Sequence, residues 1–284
     1  MKHKFIFIGR FDGMHAGYRR LLQEYGATWE DCALWLVPCD DISLYGPQEN
    51  ARLAYELGVC EVHVLAPDCY SGDMPAELAA TAGNCLKLTA LEEPTKNGKP
   101  SESVKALVSY LVRAGIPVQW IPAEEQVHMT EKIIKYIEEG RLDQANKLLS
   151  TRYRLTGIVK PGRQLGRKMA FPTINQYFAP DTVLPAFGPY ASFTLIDGRQ
   201  YPSMTNVGVK PSVGEYDAGA ETHIFDFSRD VYGKMIVVEF VERIRPEQVF
   251  DSIEALQAGI AKDSLNARRI LEREPNCVKG YGIC

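Results

Sequence analysis

The chain changes texture near residue 150, and no other feature constrains its fold as much. Before that point short apolar runs alternate with helical patterns. Lys4 to Ile8, Ala33 to Val37, Val59 to Leu65, Cys85 to Leu88 and Val118 to Ile121 read as buried strands. His15 to Glu24, Gln48 to Leu57 and Ser103 to Ala114 read as helices, and Thr130 to Glu139 and Leu142 to Ser150 as two more that close this half. Alternation of β and α predicts a parallel sheet covered by helices. After that point come short β-like runs, Tyr153–Lys160, Pro189–Ile196, Gln200–Val207, Ala220–Phe227 and Lys234–Glu242, separated by turn-forming residues. This spacing predicts a small closed antiparallel barrel, with Asp197-Gly198 as a hairpin turn. Ser252 to Ile270 reads as an amphipathic helix with Ser252 as its N-cap. The expected domains are 1–150, an open α/β unit, and 151–284, a β-barrel with a C-terminal helix and a loose tail from Pro275.

The densest chemistry lies where the barrel begins. Leu155 to Val159 reads as a strand ending in the turn Lys160-Pro161-Gly162. The following loop holds Gly162 and Gly166 and the cations Lys160, Arg163, Arg167 and Lys168. Small residues let backbone N–H groups approach an anion, and cations neutralise it. Gly157, Lys160, Gly162, Arg163, Gly166 and Lys168 are therefore the candidate phosphate cradle. It is not a P-loop, since no Gly-x-x-x-x-Gly-Lys-Ser/Thr occurs. Next comes Phe171-Pro172-Thr173-Ile174-Asn175. Pro172 favours an extended chain before it. In an extended chain Thr173 and Asn175 share a face, as two neutral oxygen ligands suited to a nucleotide-bound Mg²⁺.

Gly-Arg-x-Leu-Gly followed by Phe-Pro-Thr-x-Asn resembles the signature of the riboflavin kinase family, which in prokaryotes usually forms the C-terminal half of bifunctional riboflavin kinase/FAD synthetases. The resemblance continues through Asn206-Val207-Gly208, Glu221 to Phe227, Tyr232-Gly233 and Ile244-Arg245-Pro246-Glu247, over roughly residues 151–270. It implies a Greek-key barrel and the phosphorylation of riboflavin to FMN by ATP with Mg²⁺. It also implies Glu221 as the catalytic base, on one strand face with His223 and Phe225. Asn206, Gly208, Arg245 and Phe250 match positions lining or closing the flavin pocket, and Thr173 and Asn175 the metal side.

The first half carries a second, weaker resemblance. Gly9-Arg10-Phe11-Asp12-Gly13-Met14-His15-Ala16-Gly17-Tyr18 looks like the first motif of the Rossmann-like nucleotidylyltransferase superfamily, as used in FAD synthetase domains. There a His-x-Gly-His run handles the ATP phosphates. Here His15 and Gly17 are present, with Gly9 and Asp12 in the same loop, but Tyr18 stands in place of the second histidine. Tyrosine carries no positive charge near neutral pH. The arginine of the second motif falls near Ile134, and the polar stretch Glu92 to Pro100, read as a surface loop, occupies the flavin-side segment. A degenerate adenylyltransferase is expected. The alternatives are a fully bifunctional enzyme and a flavin- or nucleotide-binding regulator without catalysis.

The totals exclude little else. A net charge of −4 with 24% charged residues gives no reason to expect nucleic acid or a membrane surface as partner. Seven cysteines without a Cys-x-x-Cys pair fit free thiols in a reducing cytoplasm. Phe5 to Gly9 is too short for a signal-peptide core or a membrane span. The sequence sets no oligomeric state.

Overall fold

The computed structural model describes residues 5–38, 43–65, 81–82, 85, 87–93, 102–161, 171–211 and 216–274. It divides into two compact units, Met1–Ile134 with Leu148–Thr151, and Lys135–Lys147 with Arg152–Cys284. Among the described residues no helix is long and apolar enough to cross a membrane.

The first unit is a five-stranded parallel sheet of β1 (Phe5–Gly9), β2 (Cys32–Leu36), β3 (Glu61–Val64), β4 (Lys87–Glu92) and β5 (Gln119–Pro122), in the order β3-β2-β1-β4-β5. Its central strands are apolar throughout because helices cover both faces of such a sheet. Ile6, Phe7, Ile8, Ala33, Leu34 and Trp35 are fully buried. The helices are α1 (Ala16–Glu24), α2 (Pro47–Glu56), α3 (Glu102–Arg113) and, up to Ile134, α4 (Glu124–Glu138). Val104, Leu107, Val108 and Leu111 place one stripe of α3 on Ile6, Ile8, Trp35 and Ala90. The strand order reverses between β1 and β4, which puts a crevice at the carboxyl ends of those two strands.

Two sequence expectations shift here. The expected helix at Thr130 begins six residues earlier, because its first turns bury the polar Gln126 and Thr130 and leave no apolar stripe to read. β4 runs from Lys87 to Glu92, later than the expected Cys85 to Leu88.

The second unit contains α5 (Leu142–Leu148) and six antiparallel strands: β6 (Arg154–Ile158), β7 (Ile174–Tyr177), β8 (Gly188–Ile196), β9 (Arg199–Pro211), β10 (Tyr216–Ile224) and β11 (Met235–Arg243). Their order is β6-β11-β8-β9-β10-β7, so β6 and β7, successive in the chain, form the two edges. The edges nearly close on each other. Lys160 N donates to Asn175 O at 2.9 Å. The Gln176 amide donates to Gly157 O and Ile236 O, both at 2.8 Å, and so substitutes a side chain for missing ladder bonds. Asp197 (φ 51°) and Gly198 (φ 74°) make the hairpin turn between β8 and β9, both in the left-handed region such a turn requires.

Alternation sorts the strands. Inward-facing Thr222, Thr205, Ser192, Ser203 and Thr194 are fully buried and bond hydroxyl to hydroxyl at 2.8–2.9 Å across β8, β9 and β10, leaving none of these hydroxyls unsatisfied. Val159, Ile196, Ile224 and Ile236 fill one end of the barrel. Outward-facing Ala191, Met204, Phe225 and Val241 pack under α6 (Ile253–Leu271), whose N-cap Ser252 accepts from Ala255 N at 3.1 Å.

Candidate active site

Glu221 lies on β10 with Asn175 opposite it on β7 and Asn206 opposite it on β9. Residues directly opposite in antiparallel strands share a sheet face. That face is the outer one, because Thr222 on one side of Glu221 is inside the barrel and Ala220 on the other is buried at 1% exposure. Glu221 and Asn206 are half-buried, while Asn175 is 7% exposed. Ile174 packs against the cluster at the barrel end. Its neighbours Thr173 and Asn175 therefore face the other way, toward the Glu221 row. Thr173 is half-buried. His223 fixes the entry to this strand: its Nδ1 donates to Pro172 O at 2.8 Å, and its ring meets Phe171 and Phe225 edge-on at 5.4 and 5.5 Å.

Of the cradle candidates, Gly162, Arg163, Gly166 and Lys168 lie outside the described residues. Lys160 is exposed at the seam, with its Nζ 5.7 Å from the centre of the Tyr177 ring. Gly157 lies within β6, where a Cβ would approach Phe178 at 3.3 Å and the Gln176 amide at 3.4 Å. Its missing side chain makes room for the closure of the seam.

The flavin-side candidates separate. Asn206 stands in the Glu221 row. A Cβ on Gly208 would meet the Glu247 carboxylate at 3.3 Å, so the two are in near contact. Arg245 is held by Asp263 of α6, with Nε 3.1 Å from both carboxylate oxygens and Nη2 2.7 Å from Oδ2, and its guanidinium lies 5.4 Å from the Phe250 ring. Phe250 in turn packs where a Cβ on Gly259 would stand, at 2.6 Å. Arg245 and Phe250 thus dock the segment after β11 onto α6. Sequence reasoning missed Asp263, Gly259 and Gln176. Asp263 is an acidic residue on the buried stripe of a helix, and that was its one visible signal.

The motif residues of the first unit are engaged internally. Asp12, 4% exposed, caps the backbone: its carboxylate accepts from Leu44 N at 2.6 Å and Tyr45 N at 2.9 Å. Burial raises its pKa against these bonds. His15 is fully buried at the start of α1. Its Nδ1 accepts from Gly17 N at 3.1 Å, so Nε2 carries the proton, 3.0 Å from Thr130 Oγ1 and 3.1 Å from Gln126 O. Burial lowers its pKa to about 4, which keeps the ring neutral. Tyr18 stacks on His15 at 4.4 Å and donates to Glu93 Oε1 at 2.6 Å. Burial raises its pKa well above the usual tyrosine value. Glu93 Oε2 accepts from Arg10 N at 2.6 Å and lies 3.1 Å from where a Gly9 Cβ would be. Glu93 is 2% exposed, which corrects its reading as part of a surface loop. A carboxylate thus sits beside the glycine loop, at the crevice between β1 and β4.

Comparison with known proteins adds the family. The family model described as Flavokinase: Riboflavin kinase matches residues 149–271. Escherichia coli bifunctional riboflavin kinase/FMN adenylyltransferase is 35% identical over 293 residues, covering 93% of this chain and 91% of that protein. The trifunctional protein RibF/MnmA of Mycoplasmoides gallisepticum is 28% identical over 271 residues, and the chain spans 40% of its length. The match to the bifunctional enzyme of Pseudomonas fluorescens spans 41% of that relative. A crystal structure from Streptococcus pneumoniae, described as a macrolide-efflux protein, shares the fold, with a TM-score of 0.66 over 94% of both chains at 23% identity. The barrel and its helix are thus those of a riboflavin kinase domain. The chain belongs to the bifunctional riboflavin kinase/FMN adenylyltransferase family.

Proposed function

We propose that the barrel unit transfers the terminal phosphoryl group of ATP to the 5′-hydroxyl of riboflavin, releasing FMN and ADP. The observation that carries this reading is the row Asn175–Glu221–Asn206, which aligns the three polar groups on one outer face of the barrel. Glu221 accepts the hydroxyl proton. The freed oxygen attacks the γ-phosphorus, and the bond to the bridging oxygen of ADP breaks. Thr173 and Asn175 would hold Mg²⁺ brought in on the nucleotide, and neutral oxygens on one face suit that task. The metal would lower the charge of the phosphates during transfer. Lys160, Arg163 and Lys168, with the backbone at Gly162 and Gly166, would neutralise the same phosphates from the loop. Asn206 and Gly208 form the flavin side, and Arg245 and Phe250 hold the wall behind them. The reaction fits the cytoplasm, where ATP is supplied.

The first unit, in this reading, does not convert FMN to FAD at a comparable rate. Adenylyl transfer needs donors for charge developing on the α-phosphate and on pyrophosphate, and losing one such donor costs roughly a hundred- to a thousand-fold. His15 is buried and neutral, Tyr18 is tied to Glu93, and a carboxylate faces the loop. The test is to supply riboflavin, ATP and Mg²⁺, and separately FMN, ATP and Mg²⁺, and to separate the flavins by chromatography. FMN from the first mixture and little FAD from the second is expected. FAD forming as fast as FMN would support the fully bifunctional alternative, and unchanged riboflavin would support the non-catalytic one.

A further inference from the structure

The first unit sets two cysteines side by side. β2 pairs with β3 in parallel from Ala33 opposite Glu61 onward, so Cys32 and Cys60, one residue earlier on each segment, adjoin. Neighbouring strands lie about 4.8 Å apart. That is inside the roughly 4.4–6.8 Å between Cα atoms that a disulfide spans. The thiols also converge on one short stretch, Thr28 to Glu30, where the turn Trp29–Asp31 begins. Cys32 Sγ donates to Thr28 O at 2.9 Å and Cys60 Sγ to Glu30 O at 3.2 Å, two carbonyls only two residues apart. Their access differs, since Cys32 is fully buried and Cys60 is exposed.

We propose that Cys32 and Cys60 form a reversible thiol–disulfide pair that reacts with small-molecule disulfides such as glutathione disulfide. Cys60 is the entry thiol. It loses its proton to water, its sulfur bonds to one sulfur of the glutathione disulfide, the S–S bond breaks and one glutathione thiolate leaves. Cys32 Sγ then attacks the Cys60 sulfur, the bond to the second glutathione breaks, and the departing glutathione thiolate takes the Cys32 proton. In the balance two protein thiols are oxidised to one disulfide, and one glutathione disulfide is reduced to two thiols. The division of labour follows from environment. Burial pushes the Cys32 thiol up to about 12, with Asp31 and Cys60 adding to the effect, so Cys32 is a poor first nucleophile. It resolves slowly, at short range, a bond that Cys60 has already made. The product pins the start of β2 to the start of β3 within the first unit.

The experiment uses the full chain. It is incubated with glutathione disulfide, quenched in time with iodoacetamide, digested and analysed by mass spectrometry. A glutathione adduct on Cys60 should appear first and give way to a cross-linked peptide holding Cys32 and Cys60, which dithiothreitol reverses. In Cys32→Ala the adduct on Cys60 should persist. Should that variant fail to fold, the wild-type time course decides alone. Cys60 remaining as adduct or free thiol while Cys32 alkylates on unfolding would overturn the proposal, as would Cys60 joined to any other cysteine.

Discussion

Glu221 faces Asn175 directly across the ladder between β10 and β7, although the two are far apart in the chain. The pairing ties the proposed base to the proposed metal ligand at a fixed spacing, because opposite residues in antiparallel strands stand about 4.5–5.5 Å apart. Both sit on regular strands, and strands hold geometry better than loops do.

Asn175→Ala tests the nucleotide side of this arrangement. The variant should raise KM for MgATP and shift the metal optimum, while riboflavin binding measured without nucleotide changes little. Calorimetry that shows weakened riboflavin binding and unaltered MgATP binding would move Asn175 to the flavin side.

Asp263→Ala addresses the Arg245 contact proposed to stand behind the flavin. Removing one member of a largely buried pair destabilises strongly, and since the Arg245 guanidinium keeps some contact with water the loss should be roughly 3 kcal/mol or less. Chemical denaturation should therefore show a lowered midpoint for the barrel unit. An unchanged midpoint would mean that the contact with Arg245 does not anchor α6.

Some of this was legible in the sequence because it is local. The alternation of apolar runs, the Asp197-Gly198 turn and the Ser252 cap are each written within a few residues. The Glu221–Asn175 register was not, since β7 and β10 are joined only after the sheet has wrapped round to its other edge. Gln176 was invisible for the same reason: its amide closes a seam between β6 and β7 whose partners, Gly157 and Ile236, lie on two other strands. The early start of α4 was missed because Gln126 and Thr130 are buried by hydrogen bonding near His15, and periodicity registers only apolar burial. Glu93 read as surface since an acidic residue usually is, and its partners Tyr18 and Arg10 come from the opening loop and helix.

His15 makes the stability of the first unit depend on pH. Its pKa falls from 6.5 to about 4 on folding, chiefly through burial. Between those values the unfolded chain binds more protons, so stability rises with pH there. The contribution is fully present above 6.5 and is lost as pH falls toward 4, on the order of 3 kcal/mol in all. His15→Asn keeps an acceptor for the helix start and removes the titration. Unfolding midpoints across this window should fall less steeply in the variant than in the wild type. Equal slopes would show that His15 is not the group being titrated.

In the proposed reaction Glu221 takes the proton from the riboflavin 5′-hydroxyl. The most direct measurement compares wild type and Glu221→Gln, with kcat taken from FMN formation at saturating MgATP and riboflavin affinity from flavin fluorescence. General-base removal costs on the order of a hundred- to ten-thousand-fold, so kcat should drop by about that factor with riboflavin Kd nearly unchanged. Wild-type turnover in Glu221→Gln would contradict the account.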